Sequence, residues 1–292
     1  MTVQTVGVLG CGLMGSGIAQ VSAVAGCAVV VRDLSDELLV KGRDAIAVSL
    51  AKFVEKGKLA PAARDAALEK VRFTTSLEEL ARCDLVIEAV TEDLELKNSL
   101  WVTLDRTCPP ATLFASNTSS LPIIAQARVT GRADRFLGLH FFNPVPLMPL
   151  VEVIRSVATS PDTLRTAMAF VNRIGKQPIG AKDSAGFIVN LLLIPYLLDA
   201  VRAVEHGVAS VPDIDAGMKL GCGHPMGPLT LLDYVGLDTS LKVGEILYEE
   251  FREARYTPPP LLRRMVMAGW YGKKSGKGFY DYSVEPPGVT PL

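Results

Sequence analysis

The stretch VGVLGCGLMGSGIAQ, residues 6–20, constrains this chain more than any other. A valine-rich run reads as a strand, a helical pattern follows, and Gly10, Gly12 and Gly15 stand between them as G-x-G-x-x-G. Such a turn bends sharply and lets the backbone approach a ligand closely. The helix behind it offers unpaired N–H groups and the positive end of its dipole to a pyrophosphate. A second β-branched run, CAVVVRD, ends in Asp33, at the spacing where a carboxylate meets ribose hydroxyls. These features predict a dinucleotide site that prefers NAD, because Asp33 would repel a 2′-phosphate. Arg32 beside it keeps NADP as the weaker alternative. A glycine turn in a ligand-free α/β protein is the plainer reading of the same residues.

The first half continues the strand–helix alternation through CDLVIEAV, TLFASN, FLGLH and LVEVI. Apolar runs separated by helices predict an α/β fold with a mostly parallel, doubly wound sheet of Rossmann type. Between Asp36 and Gly57, Leu39, Ile46, Leu50 and Phe53 share a helical face. From Gly186 the texture turns helical throughout. A domain boundary is therefore expected after KDSAG, separating residues 1–185 from an all-helical C-terminal domain, 186–292, whose first helix Gly186 opens. The PPP at 258–260 and the tail after Tyr282 are expected as loops.

A net charge of −1 argues against a nucleic-acid partner, which needs a cationic surface. Five scattered cysteines, with no Cys-x-x-Cys pair, suggest neither disulfides nor zinc and point to a reducing compartment. The apolar run from Phe187 to Leu198 is too short to span a bilayer. The N-terminus lacks a secretory signal pattern, so a cytoplasmic protein without a membrane partner is expected.

The chain has three histidines. His140 sits in GLHFFNPVP, between leucine and two phenylalanines, and Glu152 lies twelve residues on in the apolar strand PLVEVIR. A carboxylate with apolar neighbours on both faces needs a partner. The proline-rich NPVPLMP between them should turn the chain and let the two meet. A glutamate on one imidazole nitrogen fixes the tautomer and makes the other nitrogen a better base, as alcohol oxidation requires. Two residues satisfied separately by structural partners would fit the same sequence.

Taken together, GCGLMGSGIAQ, ASNTSSL (115–121), GLHFFNPVP, LVEVI, KDSAGFIVN, HPMGPLTLLDYVGLD (224–238) and GKKSGKGFYDY (272–282) resemble the L-3-hydroxyacyl-CoA dehydrogenase family. The likeness is strongest to its stand-alone 3-hydroxybutyryl-CoA type. The resemblance implies reversible NAD-linked conversion of L-3-hydroxyacyl-CoA to 3-oxoacyl-CoA, on short chains. It makes His140 the general base, Glu152 its orienting partner, and Ser119 and Asn190 the groups that hold substrate oxygens. It adds Leu13, Met14, Glu92, Lys97, Asn117, Ser119, Asn143 and Lys274 to Gly10, Gly12, Gly15 and Asp33 as cofactor contacts. Ser49, Lys56 and Ser119 would meet the coenzyme A substrate, with Lys52 adding charge near Lys56. Each of these lysines would also serve as a solvated surface residue, Ser119 as a cap and Asn190 as a structural amide.

The sequence departs from the family pattern at Leu191, where an arginine often follows the asparagine of GFIVN, and at Cys11, which could confer sensitivity to thiol reagents. His224 and His206 read as structural, the latter at a helix C-terminus. A homodimer through the C-terminal domain is implied by the same resemblance. Two other readings remain open: an NAD-dependent dehydrogenase of a free hydroxy acid, of the L-gulonate or lambda-crystallin branch, and an inactive dinucleotide-binding protein.

Overall fold

A computed structural model describes residues 2–291. It divides into two compact units, Met1–Phe187 and Ile188–Leu292.

The first unit runs β1 (Thr5–Leu9), α1 (Leu13–Val24), β2 (Ala28–Arg32), α2 (Asp36–Glu55), α3 (Pro61–Glu69), β3 (Val71–Thr74), β4 (Leu85–Glu88), α4 (Leu94–Thr107), β5 (Leu113–Ser116), α5 (Ile123–Ala127), β6 (Phe136–Phe141), β7 (Leu150–Arg155), α6 (Pro161–Arg173) and β8 (Gln177–Lys182). The eight strands form one sheet in the order β3-β2-β1-β4-β5-β6-β7-β8. All neighbours are parallel except β6 and β7, which pair antiparallel. This is the doubly wound sheet expected from the alternating runs.

Successive residues of the central strands feed two different cores. Leu85, Ile87, Leu113 and Ala115 pack with Ile18, Ile46 and Phe170 on one face. Val86 and Phe114 pack with Trp101, Leu104 and Ile123 on the other. Burial on both faces explains why these strands read as continuous apolar runs rather than alternating ones. Four elements were not anticipated: α3, β3, α6 and β8. The long helix α2 begins where expected, with Ser35 as N-cap accepting from the Leu38 N–H.

The second unit contains α7 (Val189–Glu205), α8 (Val211–Cys222), α9 (Pro228–Val235), α10 (Leu237–Phe251), α11 (Pro260–Met267) and a short antiparallel pair, β9 (Tyr280–Asp281) with β10 (Gly288–Val289). Three details differ from the sequence reading. Helix α7 starts at Val189, because Gly186 and Phe187 both take positive φ and form a turn before it. The tail after Tyr282 is not all loop, since Gly288 and Val289 pair with β9. The third proline of PPP is the first residue of α11, where its missing N–H has no cost. His206 occupies the C-cap position of α7, at a helix C-terminus as expected. Buried Asp215 and Asp233 tie this unit together. Asp215 accepts from the Leu229 and Thr230 N–H groups and the Tyr280 hydroxyl, and Asp233 from the Phe279 and Tyr280 N–H groups and the Tyr282 hydroxyl.

Candidate active site

The glycine turn joins β1 to α1 at the C-terminal edge of the sheet, where open α/β folds bind ligands. Gly10 has φ +91, and a Cβ there would meet the Ala89 carbonyl oxygen at 2.6 Å. Gly15 packs directly on the Gly10 carbonyl, whereas a Cβ on Gly12 would meet nothing within 4 Å. One glycine makes the turn, one lets the helix close on it, and one leaves an open approach. Helix α1 has Gly12 at its N-cap, no side-chain cap and no acidic residue in its first turn. Its leading N–H groups and dipole are thus left for an anion, which fits a dinucleotide pyrophosphate. Leu13 is largely exposed at this end and Met14 is half-buried.

Asp33 is held in place rather than free to swing. Its Oδ2 accepts the Cys11 N–H at 2.6 Å and its Oδ1 the Leu34 N–H at 2.6 Å. The Arg32 guanidinium donates to the Thr75 carbonyl at 3.1 Å. The aspartate stays, and the neighbouring cation is engaged by a main-chain oxygen. Cys11 is buried and tightly packed against Gly42, and burial followed by the charge of Asp33 pushes its thiol up to about 11. This corrects the expectation of thiol sensitivity: a covered, protonated sulfur is a poor nucleophile.

Strands β6 and β7 place His140 and Glu152 as direct register partners. The His140 Nδ1 lies 2.6 Å from the Glu152 Oε2. Glu152 is fully buried and His140 is 6% exposed. The rings of Phe142 and Phe187 lie 4.6 and 5.5 Å from the imidazole centroid. The carboxylate makes Nδ1 the protonated nitrogen and leaves Nε2 as the acceptor. Such a pair can take a proton from an alcohol in surroundings poor in water.

The turn between the two strands, residues 142–149, is itself anchored. Lys176 is buried and its Nζ donates to the carbonyls of Val145 at 2.7 Å, Met148 at 2.8 Å and Pro146 at 3.3 Å. Burial pushes this ammonium below its ordinary value. Val145 packs against Gly17 of α1, where any Cβ would collide with it. The turn carrying Asn143, which is exposed, is therefore seated on α1.

A second group of residues converges at the ends of β4 and β5. Glu88 closes β4 in full burial and accepts from Lys97 Nζ at 2.8 and 2.9 Å, from the Ser116 hydroxyl at 2.6 Å and from the Val90 N–H at 2.8 Å. Lys97 also meets the Glu92 Oε2 at 2.9 Å. Glu92 in turn accepts from the Ser119 N–H at 3.1 Å and from the Thr118 and Ser120 hydroxyls. Burial alone would raise the Glu92 carboxyl, but the Lys97 charge and these donors together lower it. Asn117, between them, accepts the Phe141 N–H at 2.9 Å and so joins the end of β5 to the residue after His140. Asp183 of KDSAG receives the Ile123 and Ile124 N–H groups, both at 2.8 Å, and fixes the helix that follows Ser119.

Sequence reading placed Lys97 toward the cofactor. Its ammonium is buried between two carboxylates, Glu88 and Glu92. Glu88, Lys176 and Asp183 escaped that reading, although a carboxylate ending the apolar run LVIE was a visible signal for Glu88. Ser49 is half-buried on α2, with Lys52 and Lys56 exposed at the same helix end. In the second unit Lys274 pairs with Asp238 at 2.6 Å, Asn190 is half-buried on α7, and His224 meets the Tyr196 hydroxyl at 3.2 Å.

Comparison with known proteins matches residues 5–184 to the 3-hydroxyacyl-CoA dehydrogenase NAD binding domain and residues 186–282 to the 3-hydroxyacyl-CoA dehydrogenase C-terminal domain. The chain belongs to the 3-hydroxyacyl-CoA dehydrogenase family. Within that family it is 49% identical over 282 residues to the 3-hydroxybutyryl-CoA dehydrogenase of Mycobacterium tuberculosis, covering 96% of this chain and 99% of that protein. It is 47% identical over 288 residues to the human mitochondrial hydroxyacyl-coenzyme A dehydrogenase, covering 96% of this chain and 91% of that one. The crystal structure of (S)-3-hydroxybutyryl-CoA dehydrogenase from Ralstonia eutropha is similar at a TM-score of 0.94 and 47% identity, over 97% of this chain and 100% of that chain. The first unit is thus the NAD-binding domain of a 3-hydroxyacyl-CoA dehydrogenase family member. Among the described residues no helix is long and apolar enough to cross a membrane.

Proposed function

We propose that this chain interconverts L-3-hydroxyacyl-CoA, with 3-hydroxybutyryl-CoA the preferred length, and 3-oxoacyl-CoA, using NAD(H). The observation that carries the reading is the buried His140–Glu152 pair at 2.6 Å. Bound NAD supplies the hydride acceptor. The His140 Nε2 takes the proton of the 3-hydroxyl, while Glu152 holds the ring in the productive tautomer and stabilises the imidazolium that forms. The Ser119 hydroxyl, on a loop held by Glu92, is assigned to the substrate oxygen, and Asn190 receives its assignment from the sequence motif alone. Asn143, Asn117, Glu92, Lys97 and Lys274 are retained as cofactor-side residues, with Lys97 acting through its carboxylate partners and Lys274 tied to Asp238.

Ser49 and Lys56, two helical turns apart on one face of α2, are assigned to the coenzyme A phosphates, aided by Lys52. NAD is preferred to NADP because Asp33 is pinned by two N–H groups and cannot leave at small cost. A cytoplasmic homodimer joined through the C-terminal domain completes the reading.

The decisive comparison is cofactor oxidation with acetoacetyl-CoA against free acetoacetate, with NADH and NADPH in parallel. Fast turnover of the thioester with NADH is expected. Turnover of the free acid would move the assignment to the crystallin-like branch, and none with either would leave a dinucleotide-binding protein.

A further inference from the structure

Lys97 is 1% exposed and needs one carboxylate to be neutralised, yet two are bonded to it. Glu88 lies 2.8 Å away on one side and Glu92 2.9 Å away on the other, so the three groups have a formal net charge of −1. With Glu88 fully buried and Glu92 23% exposed, the surplus carboxylate still costs desolvation energy. Part of that cost is offset by the donors around it: the Val90 and Ser119 N–H groups and the hydroxyls of Ser116, Thr118 and Ser120. A lysine with a single glutamate would have knit the same loops without the surplus.

The position of that charge gives it a use. Glu88 and Ser116 are the last residues of two adjacent central strands, at the edge where the dinucleotide binds. The triad bonds both sides of Asn117, through Ser116 and Ser119, and Asn117 is bonded to Phe141 beside His140. The hydride acceptor must lie against the carbon whose hydroxyl proton His140 takes, and hence near this end of β5 and β6.

We propose that the Glu88–Lys97–Glu92 triad biases the site electrostatically toward the oxidised nicotinamide, whose ring is cationic, over the reduced ring, which is neutral. Glu88 and Glu92 are thereby positioning and field-setting residues rather than cofactor ligands alone. The inference rests on the dehydrogenase reading and deepens it. Tighter holding of the oxidised form makes the bound reduced form a stronger hydride donor, which tilts the enzyme-bound equilibrium toward reduction of the 3-oxo thioester.

The test is a pair of dissociation constants at fixed ionic strength. NADH binding is read from its fluorescence and NAD+ by competition, on the whole protein and on Glu88→Gln and Glu92→Gln. Each variant removes one negative charge at nearly constant shape. One unit charge acting over about 12 Å, at an effective dielectric constant of about 20, changes an equilibrium roughly tenfold. The ratio Kd(NAD+)/Kd(NADH) should therefore rise roughly three- to tenfold in either variant. A ratio unchanged within about twofold, in a variant that still binds both forms, overturns the inference and leaves the dehydrogenase reading intact. Equal weakening of both forms does the same, because it places the charge at the pyrophosphate or assigns it to loop structure. If Glu88→Gln does not fold, Glu92→Gln, at a partly exposed position, decides alone. Failure of the unaltered protein to bind either form overturns the dehydrogenase reading and the inference with it.

Discussion

His140 and Glu152 face each other across an antiparallel strand pair, register partner to register partner, with Nδ1 and Oε2 2.6 Å apart. The pair sits at the single antiparallel junction of the large sheet. A hairpin is what makes the meeting possible, since only a short turn separates the two residues. Both side chains project to the same face because strand partners share a face.

Glu152→Gln keeps the shape of the partner and removes its charge. Its turnover is expected to fall on the order of 10²-fold. Loss of the anion withdraws stabilisation from the imidazolium that forms in the reaction, so kcat should fall while the NADH dissociation constant changes little. Turnover within a few-fold of the unaltered protein would mean that the contact does not act on the base.

Lys176→Met removes the donor shared by three carbonyls of the hairpin turn. Buried acceptors left without partners cost about 1–3 kcal/mol, so the denaturant midpoint should fall. Amide exchange should rise in residues 143–149 ahead of the rest of the domain. Uniform exchange across the domain would show that the lysine does not anchor this turn.

Thiol labelling should distinguish one cysteine from four. Cys222 is exposed, whereas Cys11, Cys27, Cys83 and Cys108 are buried. Burial also pushes the thiols of Cys11 and Cys108 up to about 11 and that of Cys83 up to about 12, and raises that of Cys27. The native protein is expected to react quickly at Cys222 only, and Cys222→Ser to abolish the fast phase. Fast labelling of Cys11 would contradict its packing against Gly42.

Acid stability carries a signature of Glu92. Its carboxyl is held below the ordinary value of 4.5 in the folded chain, because Lys97 and the Thr118 and Ser119 donors outweigh burial. A depressed folded value means more stability above the unfolded value and less as pH falls through the folded one. The stability gap between the unaltered protein and Glu92→Gln should be level above about pH 4.5 and shrink below it. A gap independent of pH from neutrality to pH 3 would show that the carboxylate is not stabilised by these partners.

The central strands and the glycine turn were legible because both sheet faces are buried and glycine spacing follows backbone necessity. The edge strands were not. Strand β3, VRFT, and strand β8, QPIGAK, lie at the two ends of the sheet and are only partly covered, so polar residues and Pro178 interrupt their apolar signal. His140 and Glu152 could be paired on paper because a charged residue in an apolar strand demands a partner. The destination of Lys97 could not be read the same way. A lysine at the start of a helix looks like a surface cation until the fold brings Glu88 beneath it. Lys176 was hidden for a related reason, since its partners are main-chain carbonyls that no side-chain pattern announces.

The central claim is that His140 is the base that accepts the hydroxyl proton. The most direct measurement is His140→Gln, assayed for NADH-dependent reduction of acetoacetyl-CoA beside NADH binding by fluorescence. A fall in kcat on the order of 10²- to 10⁴-fold, the span typical of a lost general base, is expected, with the NADH dissociation constant changed little. Turnover within a few-fold of the unaltered protein, with the cofactor bound normally, would contradict it.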